Sequence, residues 1–314
     1  MNNSIYLDKS FSTTKLLTSE KPKTENNSNV KFQNLLSFPK NENRFAEGGL
    51  RQKGFFKKSF NDKPLVTIIT VVFNTKNYLE EAILSVINQT YDNIEYLIVD
   101  GGSTDGSLDI IKKYENKIDY FLSEKDGGVF DAWNKALSLS QGKWIGFLGA
   151  DDFYEINAIQ KYVEKIQISK DIEFISSKSN LIKKNKKIKR VIGREWNWKE
   201  FSRYMNVAHV GSLHYRSLFK KYGIYDVNFP VCADYEFLLR AGKNLKAGFV
   251  SEVLCNFRAG GQSQGYSHWG ISEILEETFQ AKVKNKTRPS YLHIYFDTLL
   301  AKLKWILRKM LNKL

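Results

Sequence analysis

Residues 65–73 form an almost unbroken apolar and β-branched run, in which Val66, Ile68, Ile69, Val71 and Val72 are interrupted only by Thr67 and Thr70. Such a run predicts a strand buried on both faces. The rhythm then changes. Leu79, Ala82, Ile83, Val86 and Ile87 recur at three- and four-residue steps within 78–89 and predict an amphipathic helix. A second strand is expected over 94–99, a helix over 108–114, a third strand over 118–122, a helix through Ala132, Trp133, Ala136 and Leu137, and a further strand from Trp144. Strand, helix, strand in repeated order implies right-handed crossovers, and so an α/β fold with a mostly parallel sheet and flanking helices. Beyond it the pattern predicts a helix over 156–166, a strand over 172–176, a hairpin over 178–190 and a short strand at 213–215. Helices over 217–222 and after Cys232, a strand over 250–257 and a helix from Ile271 complete the series. Residues 1–45, rich in Asn, Ser, Lys and Thr, hold no sustained apolar period and are expected to be disordered or loosely attached.

Polar residues at strand ends carry the candidate chemistry, because open α/β sheets bind ligands beyond the carboxyl ends of their strands. The strand from Trp144 runs directly into Gly149, Ala150, Asp151 and Asp152. Adjacent carboxylates repel, and solvent, protonation or a hard divalent cation relieves the repulsion; an Asp helix cap is the simpler alternative. Asp100, at the end of the second strand, can accept hydrogen bonds from a nucleobase or ribose, whereas Ser103 or Asp105 caps the following helix. The usual phosphate loops are missing. Phe73 and Asn74, not G-x-G-x-x-G, follow the first strand, and G-x-x-x-x-G-K-[ST] occurs nowhere. Segment 48–58 mixes glycine, basic and aromatic residues and reads either as an ordered lead-in or as a phosphate contact. Asp234 falls in the first turn of a predicted helix, where the positive end of the helix favours an acid.

A chain of 314 residues that is 42% hydrophobic and 14% aromatic can build one large α/β domain with appendages. Its two cysteines, Cys232 and Cys255, have neither metal-ligand nor redox spacing and read as buried thiols in a reducing compartment. The N-terminus lacks the apolar core of a signal peptide and no apolar run approaches a membrane span of ~20 residues, so a cytoplasmic body is expected. The net charge of +14 favours an anionic partner: nucleic acid, a membrane surface or a phosphorylated small molecule. The basic stretch 178–190 lacks the interleaved aromatics that stack bases, so it reads as a solvated hairpin and not as a nucleic-acid site.

Several of these pieces occur in a characteristic order: Thr70 to Asn74, Asp100-Gly101-Gly102-Ser103-Thr104-Asp105-Gly106, Asp126 through Lys135, Gly149-Ala150-Asp151-Asp152, His209, Ala233-Asp234-Tyr235-Glu236 and Gly260-Gly261-Gln262-Ser263. As an ordered set over roughly 48–263 they resemble glycosyltransferase family two, within it the bacterial branch of colanic-acid-type surface-polysaccharide transferases. The resemblance implies a GT-A fold, Rossmann-like, and a hexosyltransferase-type enzyme that takes a nucleotide-sugar, commonly a UDP-sugar, with Mn2+ or Mg2+ and inverts the anomeric carbon. It implies a glycan or lipid-linked oligosaccharide acceptor in surface polysaccharide or lipopolysaccharide synthesis. Carried over by position, Thr70, Phe73 and Asn74 border the nucleotide, Asp100 contacts the base, and Asp126 and Asn134 line the donor site. Asp151 and Asp152 match the metal and ribose motif and Asp234 the catalytic base, while His209, Glu236, Arg258 and Gly261 are placed toward sugar or acceptor. The family often has an acid two positions before Asp151, where this chain has Gly149.

The chemistry of the residues agrees: a diphosphate leaving group needs charge neutralisation and an acceptor hydroxyl needs a base. A glycoside hydrolase would need two carboxyls flanking a glycosidic bond instead of adjacent in sequence. A non-catalytic nucleotide-sugar or glycan-binding protein on the same fold is the alternative.

The expected organisation is therefore an N-terminal segment at 1–45, one domain at 46–270 with a nucleotide-binding half at 64–152 and an acceptor half at 153–270, and a helical tail at 271–314. In the tail, Leu292, Tyr295, Phe296, Leu299, Leu303, Ile306 and Met310 recur at helical spacing among Lys302, Lys304, Arg308, Lys309 and Lys313. A basic amphipathic helix over 290–314 suits an anionic membrane surface, with peripheral attachment at the inner face of the cell membrane. Docking on the body or pairing with a second copy of the chain is the competing expectation.

Overall fold

The computed structural model describes residues 4–6, 16–24, 32, 34–169, 171–260, 271–288 and 290–310. The first predicted strand is β4 (Val66–Val72), preceded by the short β1 (Ser4–Tyr6), β2 (Leu16–Thr18) and β3 (Ala46–Gly48). After it come α1 (Lys76–Ile87), β5 (Ile94–Asp100), α2 (Ser107–Lys113), β6 (Tyr120–Ser123), α3 (Val129–Leu139) and β7 (Trp144–Gly149). The second half holds β8 (Phe153–Tyr154), α4 (Ala158–Ile168), β9 (Phe174–Ile182), β10 (Ile188–Ile192), α5 (Trp198–Phe201), β11 (Leu213–Tyr215), α6 (Arg216–Tyr222), α7 (Ala233–Ala241) and β12 (Ala247–Arg258). Two helices, α8 (Ile271–Lys284) and α9 (Tyr291–Met310), follow.

Ten strands form one mixed sheet in the order β3-β6-β5-β4-β7-β11-β9-β12-β8, with β10 paired to β9. The chain steps outward from β4 through β5 to β6 and returns to β7 on the other side of β4, all four in parallel. The loops after β4 and β7 therefore diverge and leave a crevice at the carboxyl ends of these strands. The second half makes the sheet mixed, because β11 is antiparallel to both β7 and β9, while β12 lies parallel to β9. Strand β9 runs to Ile182, well beyond the predicted 172–176, since its distal part pairs with both β10 and β12. The basic hairpin expected at 178–190 thus has β9 itself as its first arm.

Side chains of β4 alternate between two cores. Ile69 packs on one face with Phe147, Phe219, Tyr225 and Phe237, while Val66 and Ile68 pack on the other with Leu79, Ile83 and Val86 of α1. This is why the run carries no polar face. Segment 48–58 is an ordered lead-in: Arg51 forms a buried ion pair of 2.5 Å with Glu95, and Lys57 one of 2.8 Å with Asp119. Burial pushes the Asp119 carboxyl up, against the pull of Lys57. Within the N-terminal segment, expected to be loosely attached, Leu17 and Phe32 are buried. Both cysteines are buried free thiols. Among the described residues no helix is long and apolar enough to cross a membrane.

Candidate active site

Loops after β4 and β5 are stitched together by short polar side chains. Asn74 takes a left-handed backbone (φ 50°), accepts from Thr104 N–H at 2.9 Å, and donates its own N–H to Ser103 Oγ at 2.8 Å. Asp105 accepts from Lys76 N–H at 2.8 Å and Ser107 N–H at 2.9 Å, so one carboxylate caps the starts of both α1 and α2. Burial raises its pKa, but these hydrogen bonds outweigh burial and hold it below the usual range. Phe73 projects from the same loop, 67% exposed.

Asp100 is fully buried and accepts from Ser103 N–H, Ser103 Oγ–H and Ser123 Oγ–H, the last at 2.6 Å. Its carboxylate organises the loop from beneath. The half-buried carboxylate beside it is Asp126: a Cβ on Gly101 would lie 2.6 Å from Asp126 Oδ2, so the absent side chain at 101 makes its room. Burial pushes the Asp126 carboxyl up, opposed by the Gly128 N–H that it accepts at 2.9 Å. Thr70 lies buried below the crevice, where its hydroxyl accepts from Tyr96 Oη–H at 3.1 Å. Asn134 clamps the chain at Tyr225, donating to its carbonyl at 2.9 Å and accepting its N–H at 3.0 Å.

Asp151 and Asp152 leave the end of β7. Asp152 is buried and accepts from the backbone N–H of Arg258 at 2.8 Å, while Asp151 is half-buried. Burial and then the neighbouring Asp151 charge push the Asp152 carboxyl well up; burial also raises Asp151. A Cβ on Gly149 would lie 2.5 Å from Asp152 Oδ2 and 3.2 Å from Asp151 Oδ1, so the glycine gives both carboxylates their room. Among the described residues no group of three or more His, Cys, Asp or Glu side chains forms a protein cage for a metal. Two carboxylates fit Mn2+ or Mg2+, which are commonly held by one or two protein carboxylates, substrate phosphates and water. Two adjacent carboxylates at a strand end, opposed by Arg258 alone among the charges that act on both, are the observation that favours a cation there.

Asp234 stands in the first turn of α7, and its Oδ2 lies 3.7 Å from His209 Nδ1. Burial lowers the His209 pKa against the pull of Asp234. Trp133 stacks on His209 with ring centroids 5.7 Å apart, and Trp133 Nε1 and His209 Nε2 are buried without hydrogen-bond partners among the described residues. Asp234 and His209 line a cavity of about 430 Å³ that extends to Lys282 on α8 and Ala301 on α9. Trp133 and Lys282 were not singled out from the sequence; the first sits inside a quoted motif, whereas the second has no local signal.

Of the residues expected near sugar or acceptor, Glu236 and Arg258 are engaged by other side chains. Glu236 is fully buried in an ion-pair cluster with Arg240 (2.9 Å) and Lys284 (3.0 Å), away from the cavity lined by Asp234. Arg258 backs the aspartate pair, with its guanidinium over the rings of Tyr78 (4.6 Å) and Phe153 (5.4 Å) and paired with Glu81. Gly261 falls outside the described residues.

The pattern of Glycosyl transferase family 2 matches residues 67–222. The chain is 38% identical over 107 residues to the putative teichuronic acid biosynthesis glycosyltransferase TuaG of Bacillus subtilis, a match covering 33% of this chain and 42% of that relative. It is 30% identical over 207 residues to an uncharacterized glycosyltransferase of Methanocaldococcus jannaschii, covering 63% of this chain and 71% of the relative. The fold is shared with S. aureus TarS 1–349 in complex with UDP-GlcNAc (TM-score 0.58, 16% identity, 73% of this chain and 69% of that one). It is shared also with a mannosyltransferase of Pyrobaculum calidifontis in complex with GDP-Man and Mn2+ (TM-score 0.56, 18% identity, 76% and 71%). With the mixed sheet and flanking helices of the GT-A fold, and with these relatives, the chain belongs to glycosyltransferase family 2.

Proposed function

We propose that this chain transfers a sugar from a UDP-sugar, with inversion at the anomeric carbon, to a glycan or lipid-linked oligosaccharide acceptor in the synthesis of bacterial surface polysaccharide. The observation that carries the reading is the carboxylate pair at the end of β7 together with Asp234 lining a cavity. The Asp234 carboxylate takes the proton of the acceptor hydroxyl; the acceptor oxygen bonds to the anomeric carbon as the bond to the diphosphate oxygen breaks, and UDP departs. Burial keeps His209 neutral near pH 7, so no imidazolium neutralises this base. A divalent cation held by Asp151 and Asp152 would neutralise charge growing on the diphosphate. Phe73, just after β4, and Asp126, just after β6, border the nucleotide.

The ligands bound to the fold relatives, UDP-GlcNAc and GDP-Man with Mn2+, support a nucleotide-sugar and a metal. The teichuronic acid relative supports a polymer of the cell surface. The exposed apolar face of α9 supports peripheral attachment at the cytoplasmic leaflet. The test is thermal unfolding of the full chain with UDP-sugars, GDP-sugars and Mn2+, followed by assay of UDP release with acceptor. Metal-dependent stabilisation by a UDP-sugar and acceptor-dependent release are expected. Binding without turnover would reduce the chain to a binding protein, and no stabilisation would remove the donor.

A further inference from the structure

Helix α9 docks on the body by one narrow strip and leaves another bare. Ile294 and Asp297 are buried and Thr298, Ala301 and Trp305 half-buried, whereas Leu292, Phe296, Leu299, Leu303, Leu307 and Met310 are exposed. An exposed apolar stripe of this length marks an interaction surface. The docked strip reaches the active-site cavity, because Thr298 and Ala301 line the same space as Asp234 and His209.

Lys282 lines that cavity too, 2% exposed. Its charge feels Asp297, but that carboxylate is already held by Arg203 at 2.9 Å and Arg288 at 3.1 Å. Glu277 of the same helix is engaged elsewhere, accepting the backbone N–H groups of Val231 and Cys232 at 2.8 and 2.6 Å. Among the described residues the Lys282 ammonium is attracted by Asp297 but forms no close ion pair or hydrogen bond with it or with another side chain. Burial pulls its pKa down to about 8, with Arg288 and Arg203 adding to the fall against Asp297. A buried cation whose nearby acid is shared with two arginines is costly unless a further anion completes it.

We propose that this cavity takes an acceptor glycan joined to a lipid through phosphate, with the phosphate at Lys282, the reacting hydroxyl toward Asp234, and the lipid chain leaving past Ala301 along the bare stripe of α9. The inference rests on the transferase reading above and names its acceptor class. Charge selects the phosphate, the cavity joins it to the base, and the stripe offers the chain an apolar path to a membrane.

The test is calorimetric titration of the full chain with farnesyl phosphate, farnesol and inorganic phosphate, with the donor site filled by saturating UDP and Mg2+. Farnesyl phosphate should bind at least about tenfold more tightly than either fragment. Lys282→Met should weaken it about tenfold or more, since a charge-assisted contact is lost, while Lys282→Arg keeps most of the affinity. UDP binding should be equal in all three proteins, which reports a folded donor half. Unchanged affinity in Lys282→Met, no binding of farnesyl phosphate by a chain that binds UDP, or inorganic phosphate binding as tightly as farnesyl phosphate would each overturn the proposal. The titration is repeated without nucleotide. Failure to bind UDP would then count against the donor reading alone, and the lipid-phosphate result would stand by itself.

Discussion

Asp234 Oδ2 faces His209 Nδ1 at 3.7 Å, and the imidazole is backed by the stacked ring of Trp133. A carboxylate that no imidazolium neutralises can accept a proton. Asp234→Asn is expected to lower kcat by about 10²–10⁴, the usual worth of general-base assistance, with the Kd for UDP unchanged. Steady-state turnover with calorimetric UDP binding checks this. Near-normal turnover would return Asp234 to a helix-end role.

Asp151 and Asp152 both have folded pKa values above the ordinary carboxylate range, burial being the larger cause in each. An acid raised in the folded state contributes stability that is fully present below its unfolded pKa and is lost as pH rises through the folded value. The metal-free chain should therefore lose stability as pH climbs above the unfolded carboxylate value of about 3.9, while the Mn2+-induced rise in Tm grows over the same interval, because metal competes with protons. Asp152→Asn should raise the metal-free Tm near pH 8 and abolish the Mn2+ response. A Mn2+ shift independent of pH, or kept by the variant, would move the metal elsewhere.

Gly149 is where the family often has an acid, and here even a methyl group would lie 2.5 Å from Asp152 Oδ2. Gly149→Ala must displace a buried carboxylate, a strain of about 1–3 kcal/mol by the usual cost of overpacking. Metal-dependent UDP binding should weaken several-fold or more in a protein with native circular dichroism. Wild-type binding would show that the aspartate pair can move freely.

Far from the crevice, Glu95 holds three partners at once: Arg51 at 2.5 Å, Thr67 Oγ1 at 2.5 Å and Gln141 N–H at 2.7 Å. Glu95→Ala leaves the buried Arg51 uncompensated and should cost about 3–5 kcal/mol in urea unfolding. Glu95→Gln, which keeps part of the hydrogen bonding, should cost less. Equal small losses in both would mean that water reaches Arg51.

For α9, co-sedimentation with anionic liposomes compares the full chain with a chain ending at Arg288. The full chain should pellet at low salt and partly release at high salt, as apolar burial is joined by roughly 1 kcal/mol per basic residue near the surface. The shortened chain should stay in the supernatant. If both pellet alike or neither does, the bare stripe serves another partner.

The order of strands and helices was legible from the sequence alone, as was the placing of Asp151, Asp152 and Asp234 at element ends. Periods of two and 3.6 and β-branched runs are local properties, complete within short windows. Only the tertiary structure decided which polar residues remain free for chemistry. Thr70 sits under the crevice, Asn134 clamps Tyr225, and Glu236 is consumed by Arg240 and Lys284, all through partners that no local pattern names. Likewise, β11 enters antiparallel between β7 and β9, and Lys282 shares a cavity with Asp234, because long-range packing brings together segments distant in the chain. A carboxylate's neighbours in sequence show that it can stand at a strand end; its neighbours in space decide whether its charge is already spent.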